Sequence, residues 1–392
     1  CLATATLFVY ESGRLVTQKR RLIDSADAAA LSAAIFEARV LNFESYMNRA
    51  IVANQAAMAQ SVSLRSWLAY MTRTVDRANR ITRFVPYLGP ATTGLRNVMT
   101  GVNRASQPLL VTGEGTLALF TTDFARAADA LHLAAAPAAL ELAQRTAADN
   151  FPGASLSTRG SALMGAHTTR WVRLTRVYGG AQRGRQKEVI VRSLDRFTVD
   201  RGAVFRVPVI VRLEKRGGTD LPGFDTWRGM DTFALHHRTL FGWREAFQIG
   251  WGAAEQGRAT SLRGYHGGSY RVNRRTSRTA MRDLRVSRLS RGLPSMRDVA
   301  RLEPAVQNDL RLDLELEVAA HVVFGGQRLL QRVDLVAVPD VLEVLPGVEH
   351  HDQHEHGADA ERTPQLALTA FVDLAHDRVV ADVFPDCVFE GF

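Results

Sequence analysis

The sequence predicts an α+β protein: a long N-terminal helical stalk with an apolar start, followed by a β-rich antiparallel head. Three observations carry this expectation. Every seventh position from Leu15 to Val85 is apolar, no proline precedes Pro86, and beyond residue 166 the apolar period shortens towards two. The expected organisation is an apolar stub and long helix over 1–85, a helical connector over 86–165 and the head over 166–392.

The stalk is read from its heptad row: Leu15, Leu22, Ala29, Phe36, Phe43, Ala50, Ala57, Leu64, Met71, Ala78 and Val85. A second row, Ala26, Ala33, Val40, Met47, Leu68 and Val75, lies four residues further on, so the two form one seam of coiled-coil type. Asn54 and Ser61 interrupt the second row, and polar residues at such positions set register at some cost in stability. Seventy residues at ~1.5 Å each give a rod of ~100 Å. Between residues 25 and 34 the helix is built almost wholly of Ala, Ser and Asp, small enough to let another helix approach closely. The seam is open to two partners, the chain's own C-terminal domain or the helices of other subunits.

The connector begins where Pro86 and Pro90 remove helix donors and Gly89 permits a reversal. Residues 91–121 read as loop and short helix, and 122–150 as a second helix with a kink or break at Pro137. Strands are expected in the head at 171–178, 188–197, 204–213, 232–240, 247–251, 310–318, 331–338, 366–374 and 379–384. The clearest is 310–318, where leucine alternates with arginine, aspartate or glutamate, the pattern of a half-exposed antiparallel strand. His236 and His237 are adjacent in one of these strands, so their rings point to opposite faces and cannot hold one ligand together.

Charge is segregated along the head. Residues 258–301 carry a net of +10, and residues 302–392 a net of −13. Pairing of the two within the head, or between a head and its neighbour, follows from that complementarity. The basic stretch also offers contacts to an anionic partner, through Arg271, Arg274, Arg275 and Arg278. Against nucleic acid, the arginines are spaced out, and the acidic third repels a polyanion.

Motifs for catalysis are missing. There is no Gly-x-Ser-x-Gly elbow and no His-Glu-x-x-His helix, and the two cysteines, Cys1 and Cys387, form no framework. No enzyme activity, catalytic residue or cofactor is therefore expected. The dense set of metal-capable residues is the tract at 349–356, where His350, His351, His354 and His356 have the chemistry to take a divalent metal. That tract lacks hydrophobic anchors and reads first as a polar loop.

The first ten residues carry no charge, and the first charged residue is Glu11. Three explanations stay open for such a beginning: an upstream part not included, cleavage by a prepilin-type peptidase, or lipidation of Cys1. No run of eighteen apolar residues follows.

The stalk also resembles a family. The stretches from Tyr10 to Gly13, from Leu22 to Ala34, from Ala38 to Ala50 and from Ser61 to Trp67 are similar to the TadG-like proteins of Flp (tight adherence) pilus assembly, themselves akin to TadE-class pseudopilins. The similarity covers residues 1–90, with a fainter one at 291–298. The resemblance implies a structural or assembly component of a pilus-like filament, or the polymerising subunit itself. It implies self-association, or contact with other pilin or pilus-assembly subunits, through the N-terminal helix, and membrane contact at the stub. It also implies residence at the inner membrane, periplasm or exterior of a Gram-negative bacterium, and no catalytic residues. Ala5 departs from the pattern of type IV pilins, which carry glutamate there. The alternative reading is a protein that binds nucleic acid or an acidic glycan through 258–301.

Overall fold

The computed structural model describes residues 2–179, 181–207, 211–240, 242–257, 272–287, 293–294, 296–299, 312–318 and 328–333. The chain is α+β, with a long N-terminal helical region followed by an antiparallel sheet. Helix α1 runs without interruption over Leu2–Thr82. Its alanine-rich sequence favours the helix, and Gly13 is the one flexible residue within it. At ~1.5 Å per residue it spans ~120 Å.

The reversal after α1 is local chemistry. Tyr87 adopts a left-handed φ of 65°. A Cβ on Gly89 would sit 2.7 Å from the Arg83 carbonyl oxygen, so only glycine fits there. Asn79 Oδ1 accepts from the hydroxyls of Thr92 (2.9 Å) and Thr93 (3.0 Å), and Arg96 Nε reaches Asp76 at 2.6 Å. These bonds pin the start of α2 to the end of α1.

Helix α2 occupies Leu88–Asn150 and returns along α1 as an antiparallel hairpin. This corrects the expectation of loop and short helix over 91–121. It also corrects the break at Pro137, since Pro108 and Pro137 both lie inside the helix. Packing along α1 offsets the lost donors and the glycines, whose intrinsic preferences the sequence reading followed. In the small zone of α1, Ala26, Ala29, Ala30 and Ala33 share a buried cluster with Ala139, Ala143 and Ala147 of α2.

Two further expectations are overturned after the hairpin. Of residues 171–178 the first four belong to helix α3, Thr158–Leu174, and the rest is irregular apart from a single antiparallel bridge between Val177 and Arg297, whereas residues 188–197 fall mostly in α4, Ala181–Arg192, and α5, Arg196–Val199. Short β-branched and aromatic runs there resemble strands by composition. Their burial is that of a helix face, with Met164, His167, Trp171 and Leu174 buried at spacings of three and four.

A short strand β1, Ala154–Leu156, precedes α3 and pairs antiparallel with β7, Leu312–Val318, which pairs with β8, Arg328–Val333. The main sheet has the order β2-β3-β4-β5-β6, formed by Ala203–Val207, Val211–Asp220, Thr226–Thr239, Gly242–Gly257 and Arg285–Ser287. Its first four strands are antiparallel, and β6 joins parallel to β5. Strands expected at 204–213, 232–240, 247–251, 310–318 and 331–338 thus overlap β2 with β3, β4, β5, β7 and β8. Those expected at 366–374 and 379–384 lie outside the described residues.

Alternation along β4 gives the sheet two buried faces. Trp227, Gly229 and Asp231 meet α1, whereas Met230 packs with Ala253 and with Ala280 of helix α6, Arg274–Arg282. The lower half of α1 therefore lies along one face of the sheet.

Candidate functional site

Helix α1 changes its surroundings along its length. From Leu2 to Tyr10 it carries no charged side chain, and Leu2, Leu7, Phe8, Val9 and Tyr10 are all exposed, from 64% to 84%. Burial begins at Leu22. From there to Asn79 the helix is held by α2, α3 and the sheet.

The residues expected to form the packing seam divide accordingly. Leu22 and Ala29 are buried, and Phe36, Phe43, Ala50, Ala57 and Met71 are half-buried. Leu15, Leu64 and Ala78 are exposed.

The second expected row stays buried at Ala26, Ala33, Val40, Asn54, Leu68 and Val75, and beside it runs a further buried row, Ala30, Glu37, Glu44, Ile51, Met58 and Arg65, seven apart. Sequence reasoning passed over it because half of it is ionisable. Each charged member meets a specific partner. His167 Nε2 bonds Glu37 Oε1 at 2.7 Å, and His132 Nδ1 bonds Glu44 Oε1 at 2.7 Å. Trp171 stacks on His132 with ring centroids 5.3 Å apart and donates its indole N–H to the His132 carbonyl.

Arg65 pairs with Glu114 of α2 at 2.8 Å, and Ser61 donates to the same carboxylate at 2.9 Å. Burial pushes the Glu114 carboxyl up, with Arg65 acting in the opposite direction. These contacts fix the register of α2 and α3 on α1, because a slide by one turn would leave a charge buried and unpaired.

The densest polar cluster lies where α1 crosses the sheet. Asp231 of β4 is fully buried. It accepts from Ser66 (2.6 Å) and from Arg201 Nε and Nη2 (both 3.0 Å), and it pairs with Lys215 Nζ (2.5 Å). Burial alone would raise its pKa, but Arg201 and Lys215 overturn that and hold the carboxyl below its ordinary value. Burial lowers Lys215, with Asp231 opposing. Burial also pushes Tyr70, whose ring lies 4.6 Å from the Lys215 ammonium, up to about 12.

Glycines bring the helix this close. A Cβ on Gly252 would lie within the backbone of Ser66 and Tyr70, and one on Gly250 would overlap the Thr74 hydroxyl. A Cβ on Gly229 would stand 3.0 Å from the Val62 carbonyl. Trp227 completes the contact by donating to Gln55 at 2.9 Å. The cluster has the chemistry of a clamp. It is closed over by α1, and its polar groups face one another.

Of the expected anion contacts, Arg274, Arg275 and Arg278 lie exposed on α6, and Arg271 lies outside the described residues. His236 is buried and His237 half-buried, on opposite faces of β4. The tract containing His350, His351, His354 and His356 lies outside the described residues. Among the described residues no group of three or more His, Cys, Asp or Glu side chains is placed to hold a metal ion. No helix among them is long and apolar enough to cross a membrane.

No family model, no curated protein and no solved structure matches this chain.

Proposed function

We propose that the chain is a structural or assembly component of a pilus-like bacterial surface filament, attached through the uncharged N-terminal turns of α1. One observation carries this reading: nine successive helical residues, Leu2 to Tyr10, without a charge and exposed on every side of the helix. Such a segment is stabilised only in an apolar surrounding, a membrane or a bundle of like helices. The resemblance of residues 1–90 to Flp pilus-assembly proteins agrees with it. Because the seam from Leu22 onward is engaged within the chain, association through the N-terminal helix is assigned to residues 2–21.

Fractionation of cells that express the whole natural gene tests the reading. The protein is expected with the envelope or with sheared surface material, and Leu7→Asp with Phe8→Asp is expected to release it. Recovery of the unaltered protein in the soluble fraction of the cell would overturn the proposal.

A second reading, binding of an acidic polymer, has its own observation. Arg77 and Arg275 line a cleft of about 220 Å³ together with Glu245, Ala246, Phe247 and Gln248. Arg274 and Arg278 are exposed on the same helix as Arg275. Binding of this kind weakens steeply with salt. Unchanged mobility of a labelled single-stranded DNA or heparin probe at low salt would dismiss it.

A further inference from the structure

The first third of α2 carries an apolar row that nothing in the described chain covers. Leu88, Leu95, Val102 and Leu109 recur every seven residues and are 45–73% exposed. Ala91, Val98 and Ala105 form the matching row three residues on, and all three are exposed, Val98 at 61%. Together these are the two apolar positions of three successive heptads, a stripe ~30 Å long. Neither row has slipped towards α1, whose contacts are made by Thr92, Arg96 and Gln107 on another side of α2.

We infer that this stripe is a self-association surface and that its occupant is the same stripe on a second copy of the chain. Two features of the stripe select a second copy. Between residues 88 and 109 the charged residues are Arg96 and Arg104, and Arg96 is held by Asp76 on the α1 side. Pairing of two identical stripes therefore brings no like charges together, and no flanking charge specifies a different partner. The available area also suffices. The seven side chains of the stripe present on the order of 600–700 Å² per copy, within what a standard interface buries on each side. The contact is isologous, one patch meeting its own copy about a two-fold axis. Ala91 and Ala105 on either side of Val98 let the two helices approach closely. In the proposed assembly the surface joins subunits side by side, apart from the N-terminal turns.

Cysteine cross-linking of the full chain tests this. In a Cys1→Ser, Cys387→Ser background, Val98→Cys is expected to give a covalent dimer on mild oxidation, whereas Arg104→Cys on the outer flank stays monomeric. Adding Leu95→Glu with Val102→Glu is expected to abolish the cross-link at unchanged helical content by circular dichroism. If Val98→Cys disturbs folding, Leu95→Cys serves in its place. The charged variant Leu7→Asp with Phe8→Asp is expected to retain the cross-link, so that failure of the N-terminal attachment and failure of this surface read out separately. Equal cross-linking at 98 and 104, or a cross-link that survives the two glutamates, would overturn the inference. So would a chain that stays monomeric at every concentration, which assigns the stripe to a different protein.

Discussion

The hydroxyl of Ser66, on α1, donates to the carboxylate of Asp231, on β4, at 2.6 Å across the closest approach of helix and sheet. That bond is made at a fully buried carboxylate which Arg201 and Lys215 also reach. It ties the lower half of the stalk to the head by charge as well as by shape.

Replacement of Asp231 by asparagine therefore leaves Arg201 and Lys215 buried without their counter-charge. Loss of one partner of a buried ion pair costs about 3–5 kcal/mol. Urea unfolding is expected to show a loss of that order, and a change below about 1 kcal/mol would mean the cluster is solvated and the clamp does not exist.

Acid should act through the same residue. The folded-state pKa of Asp231 is depressed, so its contribution is present above the unfolded value, about 3.9, and is lost as pH falls through the folded value. The unaltered protein is expected to lose stability more steeply below about pH 4 than Asp231→Asn. Parallel curves of unfolding midpoint against pH would contradict this.

Glycine at 252 is expected to be irreplaceable. Gly252→Ala places a methyl group in the Ser66 and Tyr70 backbone, and overpacking of that kind costs about 1–3 kcal/mol or more. Gly13→Ala, where a Cβ meets nothing within 4 Å, is expected to gain roughly 0.5–1 kcal/mol from helix propensity. Thermal unfolding of the two variants should therefore move in opposite directions.

A double-mutant cycle addresses the hairpin. Arg65→Met strands the buried Glu114 and is expected to cost about 3–5 kcal/mol, and Arg65→Met with Glu114→Met is expected to recover most of it. Additive losses in the cycle would show that the pair does not act as a unit.

Much of this architecture was legible in the sequence, and the reasons for the rest are specific. The uninterrupted α1 followed from missing prolines and recurring apolar residues, and β7 from its strict alternation. Helix α2 was hidden because Gly94, Gly101, Pro108 and Gly113 argue against a helix one by one. The row Leu88, Leu95, Val102 and Leu109 runs through those same residues at a heptad spacing. The strands expected at 171–178 and 188–197 failed because short runs of Trp, Val and Ile satisfy both periods, and tertiary packing decided between them. The charged residues of the buried row, Glu37, Glu44 and Arg65, were invisible to a search for apolar heptads. Their partners, His167, His132 and Glu114, lie 49 or more residues away. The Asp231 cluster likewise joins residues from α1, β3, β4 and the segment before β2, a convergence that no local spacing announces.

Imaging of the natural assembly shows whether this chain works as part of a surface filament or its assembly machinery. Gold-labelled antibody against the head, applied to sheared surface material and to whole cells from the native source, should decorate filaments or the cell envelope. The label should be lost with Leu7→Asp and Phe8→Asp. Label spread evenly through the cell interior, with neither filament nor envelope marked, would rule out a filament or assembly role.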